Sequence, residues 1–214
     1  MCRGPVPRRY SRAVHTAELL ADERAELISL LRDLSDDEWE APSLCAGWRV
    51  RDVVSHLLYD EITPLGYARF ALRRRMNTDR INGDLVDRTR ELTTAHLLDR
   101  FEHCGRRITR LLPRIGLADI LVHQQDIRRP LGRPRTIPAA RVIAVLEHPD
   151  PFATPGKYTR GLRFVATDME WSSGTGPEVR GPGEALALAV VGRPVVLDEL
   201  TGAGVATLRQ RHRV

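Results

Sequence analysis

Five runs of apolar residues at helical spacing, each cut off by proline, glycine or a polar turn, fill roughly the first 130 residues and then stop. Such a pattern folds by burying one stripe of each helix against its neighbours. The first run, over 11–34, places Ala13, Leu19, Leu20, Leu27, Leu30 and Leu31 among charges. Ser35-Asp36-Asp37-Glu38 then reads as a cap in which Ser35 accepts from the Glu38 amide and Glu38 reaches back. After a turn over 42–47, Val50, Val53, Val54, Leu57 and Leu58 form the stripe of a second helix, with His56 beside it. A third helix is expected over 81–92. A fourth is expected over 94–112, its stripe of Leu97, Leu98, Phe101, Ile108, Leu111 and Leu112 ended by Pro113. Gly116 opens a fifth, over 117–129, closed by Pro130 and Gly132.

Beyond Arg133 the chemistry changes. Pro134, Pro138, Pro149, Pro151 and Pro155 punctuate a stretch with room for one short helix, over 139–147. Residues 162–167 alternate as a strand does, and Gly174-Thr175-Gly176-Pro177 is turn chemistry leading to Glu178-Val179-Arg180, so a hairpin is expected. Short apolar helices follow over 183–191, 195–200 and 205–211. The fold class expected is mostly α with a small α+β tail: a disordered arm over 1–12, a helical bundle over 13–132, a connector over 133–157 and a small C-terminal domain over 158–214.

Composition narrows the function classes. With 214 residues, 42% hydrophobic and 29% charged, the chain has the make-up of a globular protein. Its apolar stretches fall short of the roughly 20 residues a span needs, and the N-terminus lacks a signal peptide's apolar segment. A cytoplasmic protein without a membrane partner is expected, as a monomer or dimer. Three cysteines, Cys2, Cys45 and Cys104, are widely spaced and read as buried thiols. The net charge of +5 invites nucleic acid, but arginines are scattered among acids except at Arg73-Arg74-Arg75, and only 5% of residues are aromatic, which argues against that partner.

The residues that could carry chemistry lie in Asp119-Ile120-Leu121-Val122-His123-Gln124-Gln125-Asp126. Four apart on a helix, Asp119 and His123 share a face, and a second helix can bring His56 to them. That set matches a catalytic zinc site with three protein ligands and one open position. Asp126 lies close enough to accept the second N–H of the His123 imidazole, or to be a ligand itself. The same spacing also suits an ordinary hydrogen-bonded pair with His56 apart from it. No residue is assigned as a protein nucleophile.

Two longer motifs add a resemblance. Ser43-Leu44-Cys45-Ala46-Gly47-Trp48-Arg49-Val50-Arg51-Asp52-Val53-Val54-Ser55-His56-Leu57 and the stretch from Leu117 through Asp126 to Gly132 resemble the mycothiol-dependent maleylpyruvate isomerase family of actinobacteria, a group with a DinB-like helical bundle. The tail, from Ala166-Thr167-Asp168 to Gly192-Arg193, is similar to that family's C-terminal region. The resemblance implies a divalent metal, usually zinc, held by His56, Asp119 and His123, with Asp119 where the characterised isomerase has glutamate. It implies mycothiol, a low-molecular-weight thiol, as cosubstrate, with a metal-bound thiolate as nucleophile toward a small electrophilic or unsaturated metabolite. An isomerase or a thiol transferase is therefore expected, and a non-catalytic metal-binding or sensing protein is the alternative. Arg128, Arg129 and Arg193 are candidate anchors for carboxylates of substrate or cofactor.

Overall fold

The computed structural model describes residues 8–213, with side chains from residue 15 onward. The chain divides after Pro134 into two compact units. The first is all helical. Helix α1 (Arg8–Arg32) leads into α2 (Asp36–Glu40), whose capping box forms as Ser35 and Glu38 predict. Then come α3 (Val50–Leu57), a 3₁₀ turn (Leu58–Glu61), α4 (Pro64–Arg73), α5 (Thr78–Asp87), α6 (Thr94–His103) and α7 (Pro113–Arg128). Helix α1 lies along α7, and α3 packs on α5, α6 and α7. Leu27, Leu31, Val53, Val54, Leu97, Phe101, Leu117 and Leu121 are almost fully buried at these contacts. Each large side chain so buried stabilises the unit by about 1.5–3 kcal/mol. A smaller cluster joins Phe70 and Ala71 of α4 to Ile81 and Leu85 of α5, with Tyr59, Ile62 and Tyr67 against it.

Several expectations are corrected. Residues 8–12, read as part of a disordered arm, belong to α1; residues 1–7, Cys2 among them, lie outside the described residues. The fourth helix ends at His103 rather than running to residue 112, and Leu111 and Leu112 are 67% and 49% exposed. Pro113 begins the next helix instead of ending the previous one. Proline lacks only an N–H that the first turn leaves unpaired anyway. Helix α4 was not anticipated. Pro64 sits in its first turn and the Thr63 hydroxyl accepts from the Gly66 amide, so both residues serve its start. The third helix spans Thr78–Asp87, capped by Asn77, and 88–92 is turn.

The second unit holds α8 (Ala139–Glu147), α9 (Gly156–Thr159), three strands, α10 (Gly183–Val190) and α11 (Val205–His212). Val142, Val145 and Leu146 of α8 are buried and the helix packs on α10, so the stretch expected as a connector belongs from Arg135 onward to this unit and lends α8 to its core. The strands β1 (Arg163–Ala166), β2 (Ser172–Gly174) and β3 (Glu178–Gly181) form one sheet in the order β2-β1-β3. The hairpin is β1 with β2, antiparallel, with Phe164 opposite Ser173. Strand β3, the expected hairpin partner, instead lies parallel to β1, with Phe164 opposite Val179. The chain turns between them at Gly174 (φ 86°) and Gly176 (φ 120°), where a Cβ would meet the carbonyl oxygens of Leu162 and Gly161 at 2.3 Å. Only glycine fits there. Among the described residues no helix is long and apolar enough to cross a membrane.

Candidate metal centre

Helix α7 positions most of the site. Its residues from Leu117 to Ile127 are nearly all buried, so its polar side chains must be satisfied from within the bundle. Asp119 and His123 converge as their spacing requires, with Asp119 Oδ1 3.3 Å from His123 Nε2. The last turn of α3 delivers His56, whose Nε2 lies 3.8 Å from the same oxygen, and its side chain and that of Asp119 are only 12% and 11% exposed. The two imidazole rings stand nearly perpendicular, with centroids 5.0 Å apart. One candidate donor atom from each of the three residues lies within 4.8 Å of the other two.

The other nitrogen of His123, Nδ1, is 2.9 Å from Asp126 Oδ2, and the Asp126 side chain is fully buried. Cys45 completes that side. Its thiol donates to the same oxygen at 3.2 Å and stands 3.6 Å from Nδ1. The loop over 42–49 carries it there. Pro42 and Arg49 form a β-bridge, the Ser43 amide donates to Trp48 O, and Gly47 takes a left-handed turn (φ 77°). The Leu44 amide donates to Asp126 O at 3.0 Å, fixing the loop to α7. Trp48 and Tyr59 flank the His56 ring, at 5.5 and 5.7 Å between centroids.

The electrostatics follow from this packing. Burial pushes the Asp119 carboxyl up, but hydrogen bonding to His123 and then to His56 outweighs it and holds the group well below the usual carboxylate range. Burial likewise opposes a charge on His123, yet Asp119, Asp126 and Cys45 together raise its pKa well above the ordinary imidazole value. Burial, then the charge on Asp119, keeps the Tyr59 hydroxyl protonated far above its normal range. Two polar atoms at the centre, Asp119 Oδ2 and His56 Nδ1, are buried without completing a hydrogen bond among the described residues. A carboxylate facing two imidazoles with an oxygen to spare is a donor set that fits a divalent cation.

The structure thus brings together His56, Asp119, His123 and Asp126. Arg128 and Arg129 lie at the C-terminal end of α7, where the Arg128 guanidinium donates to Arg133 O at 3.4 Å. Arg193 stands in the second unit and donates to Val191 O. Cys45 and Cys104 form no disulfide among the described residues and are only partly buried, which departs from the buried thiols expected; Cys104 accepts from Arg24. Cys45, Trp48 and Tyr59 were missed as neighbours of the site. Their one signal was that Cys45 and Trp48 fall inside the same motif as His56.

Residues 20–114 match the family model described as the mycothiol maleylpyruvate isomerase N-terminal domain. The match takes in His56 and ends before Asp119 and His123. Two crystal structures of the mycothiol-dependent maleylpyruvate isomerase, one of them a mutant, share the fold with a TM-score of 0.62. Each is 15% identical and covers 89% of this chain and 92% of its own. No curated protein sequence matches the chain.

Proposed function

We propose that the chain is a divalent-metal-dependent, mycothiol-linked isomerase or thiol transferase acting on a small electrophilic or unsaturated metabolite. One observation carries this reading. His56, Asp119 and His123 converge at a buried point, with an Asp119 oxygen left over, in a unit whose residues 20–114 match the mycothiol maleylpyruvate isomerase N-terminal domain model. His56 Nε2, Asp119 and His123 Nε2 would hold the cation, with zinc the first choice for two imidazoles and a carboxylate. Bound there, such a cation lowers the pKa of a thiol at its open position and keeps it as a nucleophilic thiolate.

The protein's own groups prepare that chemistry. Asp126 accepts from His123 Nδ1–H and so leaves the Nε2 lone pair aimed at Asp119's side of the ring. The Cys45 thiol donates to the same Asp126 oxygen, which favours the ionised carboxylate that this tautomer needs. Trp48 and Tyr59 wall the His56 ring and limit water beside it. With no protein nucleophile required, the thiol cosubstrate supplies the attacking atom. Arg128 and Arg129 remain our candidates for holding a substrate carboxylate, because guanidinium groups pair readily with it.

Calorimetric titration of mycothiol into the full chain, with and without one equivalent of zinc, tests the reading. Thiol binding that depends on the metal is expected. Retention of less than about 0.2 equivalents of any divalent metal after reconstitution would sink the metal centre, since a single folded site fills to about one. Full metal loading with no thiol binding would overturn the enzyme in favour of a structural or sensing metal protein.

A further inference from the structure

Seven large apolar side chains are exposed among the described residues, and five of them fall in two short segments. Leu65, Leu72 and Met76 lie on α4 and the turn after it; Leu111 and Leu112 lie in the turn before α7. The same two segments are free of acids and rich in arginine. Residues 62–76 carry Arg69, Arg73, Arg74 and Arg75, and residues 105–116 carry Arg106, Arg107, Arg110 and Arg114. These eight charges exceed the whole chain's net +5, so the remainder of the protein is net negative. Arg74 pairs with Asp84. The other seven guanidinium groups make no ion pair among the described residues, and all seven residues are exposed.

The two segments are fastened to one point. Asp60, buried four residues before α4, accepts from the amides of Ile108 and Thr109 at 2.7 and 2.9 Å through Oδ1, and its carbonyl accepts from the Arg107 amide. Helix α4 itself has two faces. Phe70, Ala71 and Tyr67 turn inward to the small cluster with Tyr59. Leu65, Arg69 and Leu72, at i, i+4 and i+7, share the opposite face. The turn that follows holds Arg75 (φ 55°) and Met76 (φ 56°) in the left-handed conformation that favours glycine, with the Met76 amide bonded back to Ala71 O. Both side chains stay exposed there.

We propose that α4 with its following turn, together with the 106–114 turn, forms a docking surface for an anionic phospholipid membrane. Unpaired guanidinium groups would meet headgroup phosphates while leucine and methionine tips enter the acyl boundary. The expectation of no membrane partner rested on the lack of a span, and peripheral docking needs none. Leucine tips among the arginines favour lipid over nucleic acid, where aromatic rings would serve for stacking and an aliphatic tip finds no partner on the phosphate backbone.

Cosedimentation of the full chain with vesicles of phosphatidylglycerol in phosphatidylcholine, against phosphatidylcholine alone, tests this. Binding only to the anionic vesicles is expected, weakening as salt is raised. Arg69→Gln, Arg73→Gln and Arg75→Gln combined should weaken it about a hundredfold, at about fivefold for each charge. Leu72→Ser with Met76→Ser should weaken it about tenfold or more through lost apolar burial, and Arg90→Gln, an exposed ion-paired arginine elsewhere, should leave it unchanged. All these positions are exposed, so unchanged thermal unfolding is expected to accompany each loss. No binding to anionic vesicles overturns the proposal, as does binding insensitive to the arginine or leucine substitutions. Tight, salt-steep binding of duplex DNA without vesicle binding overturns it in favour of nucleic acid.

Discussion

Two buried aspartates of the first unit, Asp60 and Asp119, meet the same cost of burial in opposite ways. Asp60 is surrounded by donors that do nothing else, as two backbone amides and the Thr109 hydroxyl converge on its carboxylate. Asp119 faces two imidazoles, groups that can surrender a proton and bind a cation, and keeps one oxygen without a completed hydrogen bond. A carboxylate that ties the chain is closed off by its neighbours. One suited to chemistry is held by partners that can change state.

The sharpest way to break this contrast is at the second aspartate's partners. His123→Ala should reduce zinc affinity more than a hundredfold, while His103→Ala, whose ring hydrogen-bonds Asp99 O on an exposed helix end, leaves it unchanged. Equal metal retention by both variants would remove the assignment. At the first aspartate the loss should appear in stability. Asp60→Ala strands two amides and should cost about 3 kcal/mol in chemical denaturation. Metal stoichiometry of the folded fraction should be retained, and a cost below about 1 kcal/mol would show that Asp60 is no clamp.

Two smaller effects sharpen it further. Asp126→Asn should weaken zinc binding about 10- to 100-fold by releasing the His123 ring, with no change in stoichiometry. The pH dependence should be about tenfold in affinity for each unit. In the cation-free protein His123 keeps its proton well above the ordinary value, so over about pH 6 to 8 loading must displace that proton and weakens as pH falls. Asp119, held low, stays ionised throughout and adds no slope. The same raised pKa stabilises the cation-free fold fully below about pH 6.5, and the gain is lost as pH rises through the folded value. Zinc affinity that stays flat across this range would contradict the proposed competition.

What could be read from the sequence was what lies close along it. The capping box at Ser35, the buried stripe of α3 and the approach of Asp119 to His123 each follow from spacing within one helix. The bundle and the small tail were legible for the same reason. Boundaries set by distant contacts were not. The stripe drawn through Leu111 and Leu112 failed because Asp60, some 50 residues earlier in sequence, draws 107–109 out of the helix. Likewise nothing local tells that Cys45 will share an oxygen with His123 across the bundle, or that β3 will pair parallel with β1.

The Asp60 clamp also has a meaning in polymer terms. It closes the neck of a long excursion of chain, out through α4 and α5 and back along α6, at a point independent of the excursion's contour length. Adding residues at its far turn, 74–77, raises the closure entropy only logarithmically, by about 0.6 kcal/mol for each doubling of the loop. Insertions there can therefore reshape the outer surface of the first unit while the register that presents His56 to α7 stays pinned.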